Sequence, residues 1–303
     1  IKLVYNPAAL ISAFHTRDNL PVVARTPSGD IVGYEALFRS VPNHKLYEVG
    51  QGLVLPAYRK RGISMEMNRY VCDVLAREFH FDAIFGEAVC NHKHMQKSWA
   101  EIIGPDKETA IEVDLMPAKT YVRERSSTGR VAALPMTKIY IPRAHKIFVP
   151  PVYKLQLEYI YSKINDERVF ETSSEDIPQN AATKSKSKIF DFANVARIGF
   201  SSTGRDFRDV FEEKEEGFLL QRVIVIEVWL KLGEPWIGAV VDFLRDRGYF
   251  LGGVLPRWFD NDGLLMQKVI GAPNWEGIQL YSERAKAIMD FVRTDWEATT
   301  AKK

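Results

Sequence analysis

Apolar positions fall in short runs whose spacing changes along the chain. Residues 20–25 and 31–39 are apolar runs of strand length. Thr26-Pro27-Ser28-Gly29-Asp30 between them is a turn cluster, so the pair predicts a hairpin. A third strand is expected over about 45–55, with the loose alternation of a strand buried on both faces. After Pro56 the period changes. Met67, Tyr70, Val71, Val74 and Leu75 recur at three- and four-residue spacing, which predicts a helix over 64–79. A strand over 81–89, a helix over 93–103 stopped by Gly104-Pro105, and a strand over 109–116 follow. The order β-β-β-α-β-α-β contains one parallel crossover inside a mixed α/β sheet.

Residues 121–150 read as a connection containing Ser126-Ser127-Thr128-Gly129, several prolines and an extended stretch over 131–140. Pro150-Pro151 opens a helix over 152–164, and the polar segment 171–188 reads as a flexible loop. The pattern then partly repeats. It predicts a strand over 189–200, a helix over 207–220, a strongly apolar strand over 223–230, a helix over 236–247, strands over 249–255 and 264–269, and an amphipathic helix over 282–298. The expected organisation is a first domain over 1–120, the connection 121–150, a second copy of the same architecture over 151–280, and a terminal helix over 281–303.

Composition narrows the function classes. The chain has 303 residues, enough for two domains of ~150 each. Forty-one basic and 39 acidic side chains leave a formal charge of +2, so nothing global points to nucleic acid or anionic lipid. No run of ~18 apolar residues predicts a membrane span, and no basic-then-apolar leader opens the chain. Two cysteines, Cys72 and Cys90, make no disulfide scaffold and suit a reducing, cytoplasmic setting. His92 and His94 are the only clustered histidines. They read as loop residues rather than metal ligands, so no metal is expected.

The segment richest in chemistry is Val54-Leu55-Pro56-Ala57-Tyr58-Arg59-Lys60-Arg61-Gly62-Ile63-Ser64. A strand ends, a basic turn follows and a helix begins. Unpaired N–H groups at such a helix start, helped by the helix dipole, suit phosphate. Val54-x-Pro56 followed by Arg59-x-x-Gly62-x-Ser64 resembles the acyl-CoA motif of the GNAT superfamily of N-acetyltransferases, with Ser64 in place of the usual last Gly or Ala. The resemblance implies a GNAT-like acyl-CoA N-acyltransferase fold, acetyl-CoA or another acyl-CoA as co-substrate, and transfer of the acyl group to an amine on a small molecule or a protein. It implies that the amides from Arg59 through Ser64 (Arg59, Lys60, Arg61, Gly62, Ile63, Ser64) hold the pyrophosphate. Leu53, Val54 and Leu55 would lie along the pantetheine arm, and Asn91 would bond that arm or cap the next helix. In such enzymes a strand carboxylate often serves as base. Glu48 and Glu35 are the candidates, and if they faced each other one would have a raised pKa. The position of the usual tyrosine acid, a few residues before Gly104, holds Trp99 and Ala100, which leaves His92 and Ser98 as alternatives.

The second half resembles the same superfamily more weakly, through residues 248–256 and 262–267, and carries no V-x-P…RxxGxG motif. It is expected to lack an acyl-CoA site and to shape the acceptor cleft or support a homodimer. Only 1–19 precede the first hairpin, where the family places a strand and two helices, so the natural chain is expected to extend upstream. The alternative readings are a non-catalytic acyl-CoA sensor and a scaffold that binds no CoA. Cys90, Trp229, Trp236 and Trp258 read as core or interface residues. Glu212, Glu213, Glu215 and Glu216 read as a solvated helix face, and Lys184, Lys186 and Lys188 as a solvated loop.

Overall fold

A computed structural model describes residues 2–118, 129–259 and 261–301. After helix α1 (Pro7–His15), whose first turn Asn6 caps through Ala9 N–H at 3.1 Å, strands β1 (Asn19–Arg25), β2 (Ile31–Phe38) and β3 (Leu46–Val54) form an antiparallel run. Helix α2 (Ile63–Tyr70) continues through a π turn (Val71–Leu75) into α3 (Ala76–Glu78). Its buried side is Met67, Val71, Cys72 and Ala76, which keeps Met67 and Val71 of the expected face but leaves Tyr70 and Val74 exposed, because the π turn rotates the residues after Tyr70. Strand β4 (Ala83–Val89), helix α4 (His94–Ile103), β5 (Glu112–Pro117) and β6 (Arg130–Ile139) complete a six-stranded sheet of order β1-β2-β3-β4-β6-β5.

Strand β6 corrects the expected connection. It lies between β4 and β5, paired antiparallel to both, so 130–139 belong to the first sheet. An antiparallel hairpin partner can follow directly in sequence, and the buried run Val131–Leu134 fills the sheet interior. Ser126, Ser127 and Thr128 lie outside the described residues.

A two-stranded parallel sheet, β7 (His145–Val149) and β8 (Arg168–Thr172), flanks helix α5 (Lys154–Tyr161). The second sheet comprises β9 (Lys184–Phe190), β10 (Val195–Ser202), β11 (Val225–Lys231), β12 (Phe250–Leu255) and β13 (Gly263–Val269), in order β9-β10-β11-β13-β12. Lys184, Lys186 and Lys188 therefore lie on an edge strand and not in a loop. Pairing with β10 overrides their polarity, and lysines suit an edge because they deter further strand pairing. Helix α6 (Phe207–Leu220) joins β10 to the parallel β11, α7 (Ile237–Asp246) joins β11 to β12, and α8 (Glu283–Thr300) packs on β12. Glu215 corrects the solvated-face reading of α6. It is buried and receives Arg247 at 2.6 Å, Lys268 at 2.8 Å and the Tyr249 hydroxyl at 3.0 Å.

The two sheets have the same strand order, β2-β3-β4-β6-β5 matching β9-β10-β11-β13-β12, with a parallel pair at the same place. Their β5 and β12 edges meet. Ile111 N–H donates to Gly252 C=O at 2.8 Å, and Val254 N–H to Thr109 C=O at 2.9 Å. Gly253 has φ +135°, and a Cβ there would lie 2.4 Å from Thr109 O, so the stitch requires glycine. An aromatic pile, Phe85 on Trp258 at 4.6 Å and Trp258 on Trp229 at 5.3 Å, fills the space between the sheets, consistent with reading Trp229 and Trp258 as interface residues. No helix among the described residues is long and apolar enough to cross a membrane.

Candidate functional site

Strands β3 and β4 pair at only three positions, Leu46 with Ala83, Tyr47 with Ile84 and Glu48 with Phe85. Beyond them the strands part. A bulge places Gln51 and Gly52 opposite Glu35 alone, with Gln51 at φ +61°. Such a bulge bends and twists its strand. The far half of β3 thus has backbone that does not pair with β4, and Leu53 and Leu55 are exposed there. The chain turns through Pro56–Tyr58, and Arg59 Nε anchors the turn on Val54 O at 3.1 Å. Lys60 (φ +61°) and Gly62 (φ +77°) bring the backbone round to the start of α2. Gly62 is its N-cap, with no side-chain cap and open space where a Cβ would project. The amides that open α2 therefore face solvent beside Arg59, Lys60 and Arg61, all exposed. Arg59 N–H differs from the expectation, since it donates to Pro56 O at 3.3 Å.

Glu35 and Glu48 do not face each other. Alternation along β2 turns Glu35 toward α2, where Asn68 Nδ2 donates to it at 3.0 Å. Burial pushes its carboxyl up to about 8, against the Asn68 hydrogen bond. Glu48 points through the opposite face, toward the second sheet. Burial, reinforced by the charge of Glu87, raises it to about 8. Glu87 (β4), Glu112 (β5) and Glu227 (β11) surround Arg197 (β10). The guanidinium touches Glu227, lies 3.1 Å from Glu112 and 3.7 Å from Glu87. Burial opposes the arginine's charge, but Glu227, Glu87 and Glu112 outweigh it and keep Arg197 protonated. Burial and mutual repulsion raise Glu112 well above the carboxylate range. Sequence reading missed this cluster because its members come from five strands of both sheets.

Asn91 is buried in the turn after β4 and is not the helix cap; that position is Lys93. His92 lies in the same turn, its ring 5.3 Å from that of His94. Trp99 is buried against Gly86, where a Cβ would lie 2.5 Å from the indole, so this large ring fills the helix side of β4. Cys90, also buried, has its thiol pushed up by burial. Among the described residues, one His/Asp group brings metal-binding atoms together: His145, Asp166 and Asp262. Arg168 reaches Asp262 at 2.6 Å and Arg257 reaches Asp166 at 2.6 Å, so these carboxylates already have cationic partners.

The corresponding crossover of the second half is closed. β10 and β11 stay paired over six positions, from Val195 with Val225 to Phe200 with Leu230. At the turn into α6, Thr203 N–H donates to Glu234 at 3.3 Å, Gly204 N–H to Thr183 Oγ1 at 3.0 Å and Arg205 N–H to Ala181 O at 3.1 Å. A Cβ on Gly204 would lie 2.3 Å from Ala181 O.

No protein-family model matches this chain, and no curated protein matches it. Three of the solved structures similar to parts of it are acetyltransferases. A spermidine N-acetyltransferase chimera from Vibrio cholerae and hSSAT is 11% identical over 44% of this chain and 73% of its own, with TM-score 0.34. An IAA acetyltransferase from Bacillus cereus is 15% identical over 45% and 89%, with TM-score 0.33. A ribosomal-protein-S5-alanine acetyltransferase from Vibrio fischeri is 12% identical over 44% and 67%, with TM-score 0.34. The fold class rests on the strand order itself: a mixed α/β, GNAT-like sheet with a parting parallel pair and a helix between its strands.

Proposed function

We propose that the first half binds an acyl-CoA, acetyl-CoA in the simplest case, and passes its acyl group to a primary amine. The observation that carries this reading is the opening between β3 and β4, which runs into the uncapped start of α2 at Gly62. The unpaired edge around Leu53, Val54 and Leu55 suits an amide-bearing arm, and the amides from Gly62 onward, with Lys60 and Arg61, suit a pyrophosphate. The co-substrate supplies an activated thioester carbonyl. Glu48 stands beside the point where the strands part and serves as base. It takes one proton from the ammonium of the acceptor, and the freed nitrogen forms the C–N bond while the C–S bond breaks. The departing sulfur keeps the bond's electrons and picks up the second proton that the nitrogen sheds, so each turnover releases one proton net. Two buried free cysteines suit the cytoplasm.

Trp99, standing where an acid is expected, favours a second reading in which the site binds acyl-CoA without turnover. Release of free CoA thiol from acetyl-CoA in the presence of amines separates the two. Transfer predicts that kcat/KM rises with pH and levels above about 8, because the base works ionised and Glu48 is raised to about 8. Glu48→Gln is expected to lower it by roughly 10²–10⁴-fold. Full activity in that variant overturns the role of Glu48. Acetyl-CoA binding without turnover on any amine leaves the sensor.

A further inference from the structure

Between the two halves, on the face of the first sheet away from its helices, lies a pocket of about 210 Å³. Leu115 and Val131, toward the connected end of the β5–β6 pair, form one wall, and Phe190 from the second sheet forms the other. Glu87 and Arg197 line its polar end, and Phe192, 65% exposed, stands at its rim. The side chains of Glu87 and Arg197 keep 17% and 15% of their surface exposed, so the polar end is accessible.

Carboxyl groups crowd that end, and burial and mutual repulsion favour their protonated forms. Arg197 is the one cation among Glu48, Glu87, Glu112 and Glu227. Glu112 Oε2 and Glu227 Oε1 are fully buried and have no hydrogen-bond donor among the described residues. Those two oxygens lie behind the pocket, whose own carboxyl is that of Glu87, partly exposed and open to a hydrogen-bond donor. Glu87 joins the pocket to Glu48, whose ionisation it opposes.

We propose that this pocket is the amine-acceptor site and that it takes a small primary monoamine on an apolar body. Its ammonium binds Glu87, and its body lies between Leu115, Val131 and Phe190. The proposal rests on the acyl-transfer reading for what happens to the amine, but not for its binding. Size sets the body. An apolar cavity of about 150 Å³ holds benzene, so this pocket of about 210 Å³ suits about eight or nine non-hydrogen atoms. The exposed ammonium of Lys188, 4.8 Å from the Phe190 ring, disfavours a second cationic end. The second half thus supplies a wall of the acceptor site in place of a second acyl-CoA site.

The test is a calorimetric titration of the full chain with 2-phenylethylamine, alone and with coenzyme A present, beside the same titration with spermidine. Binding is expected in at least one condition, at least tenfold tighter than spermidine. Glu87→Gln should weaken it tenfold or more, and Phe190→Ala severalfold. A folded Glu87→Gln protein with unchanged affinity overturns the proposal, as does spermidine binding more tightly or no binding in either condition. Amine binding lost in Glu87→Gln, in a protein that takes up no acetyl-CoA, supports the pocket and sinks the transfer reading. Turnover of phenylethylamine indifferent to both variants sinks the pocket alone.

Discussion

The two halves share one winding and differ at the same joint. In the first, β3 and β4 part after three paired positions and the turn into α2 leaves its amides open. In the second, β10 and β11 stay zipped for six positions, and residues 181–183 and Glu234 take up the amides of the turn into α6. The difference comes from a bulge and from a few hydrogen bonds, not from topology. Anion binding at a helix start needs donors without partners, and an internal acceptor at about 3 Å removes them as surely as a change of fold. The second half instead places Arg197 and Phe190 in the pocket that Glu87 of the first half also lines.

The largest expected effect comes from obstructing the open joint. Gly62→Asp puts a carboxylate where phosphate would lie, while Asp tolerates the left-handed φ and meets open space. Acetyl-CoA affinity should fall by more than about 100-fold, or ~2.7 kcal/mol, in calorimetry, with the circular dichroism spectrum unchanged. Normal binding in that variant ends the assignment. Next is an attempt to open the closed joint. Glu234→Ala strips the acceptor from Thr203 N–H, Thr203 Oγ1 and Trp236 Nε1. It should cost about 2 kcal/mol in urea denaturation. It should create no second acyl-CoA site, because β10 and β11 remain paired; a stoichiometry of two per chain would contradict the comparison. The smallest effect belongs to Arg59→Ala. Arg59 is exposed and its amide bonds Pro56, so affinity should drop by about 1 kcal/mol, and by less at high salt. A loss as large as that of Gly62→Asp would move the anion from the amides to the side chains.

Much of the first half was legible in one dimension. The hairpin of β1 and β2, the helix expected from 64 and found from Ile63, and the basic turn before it follow from turn residues, periodicity and a φ that glycine adopts freely. Strand β6 was not, because an extended run flanked by prolines looks the same in a connection as between two strands. The polar run of β9 misled for a related reason: an edge strand can be polar when a neighbour supplies its hydrogen bonds. Glu215 was misread because a run of glutamates carries no sign of which one will meet Arg247 and Lys268.

The sequence by itself determined most of the helices, the first hairpin and the basic turn before Gly62, since these depend on neighbours a few residues apart. Only the tertiary structure decided that Glu35 turns toward Asn68 while Glu48 joins Glu87 and Arg197. Alternation separates the two faces of a strand but does not say which face a helix covers. Only it decided that the second turn is filled by residues 181–183, since those acceptors arrive from another segment. Ionisation, access and partner choice depend on what packs within a few ångströms, and long-range pairing alone sets that.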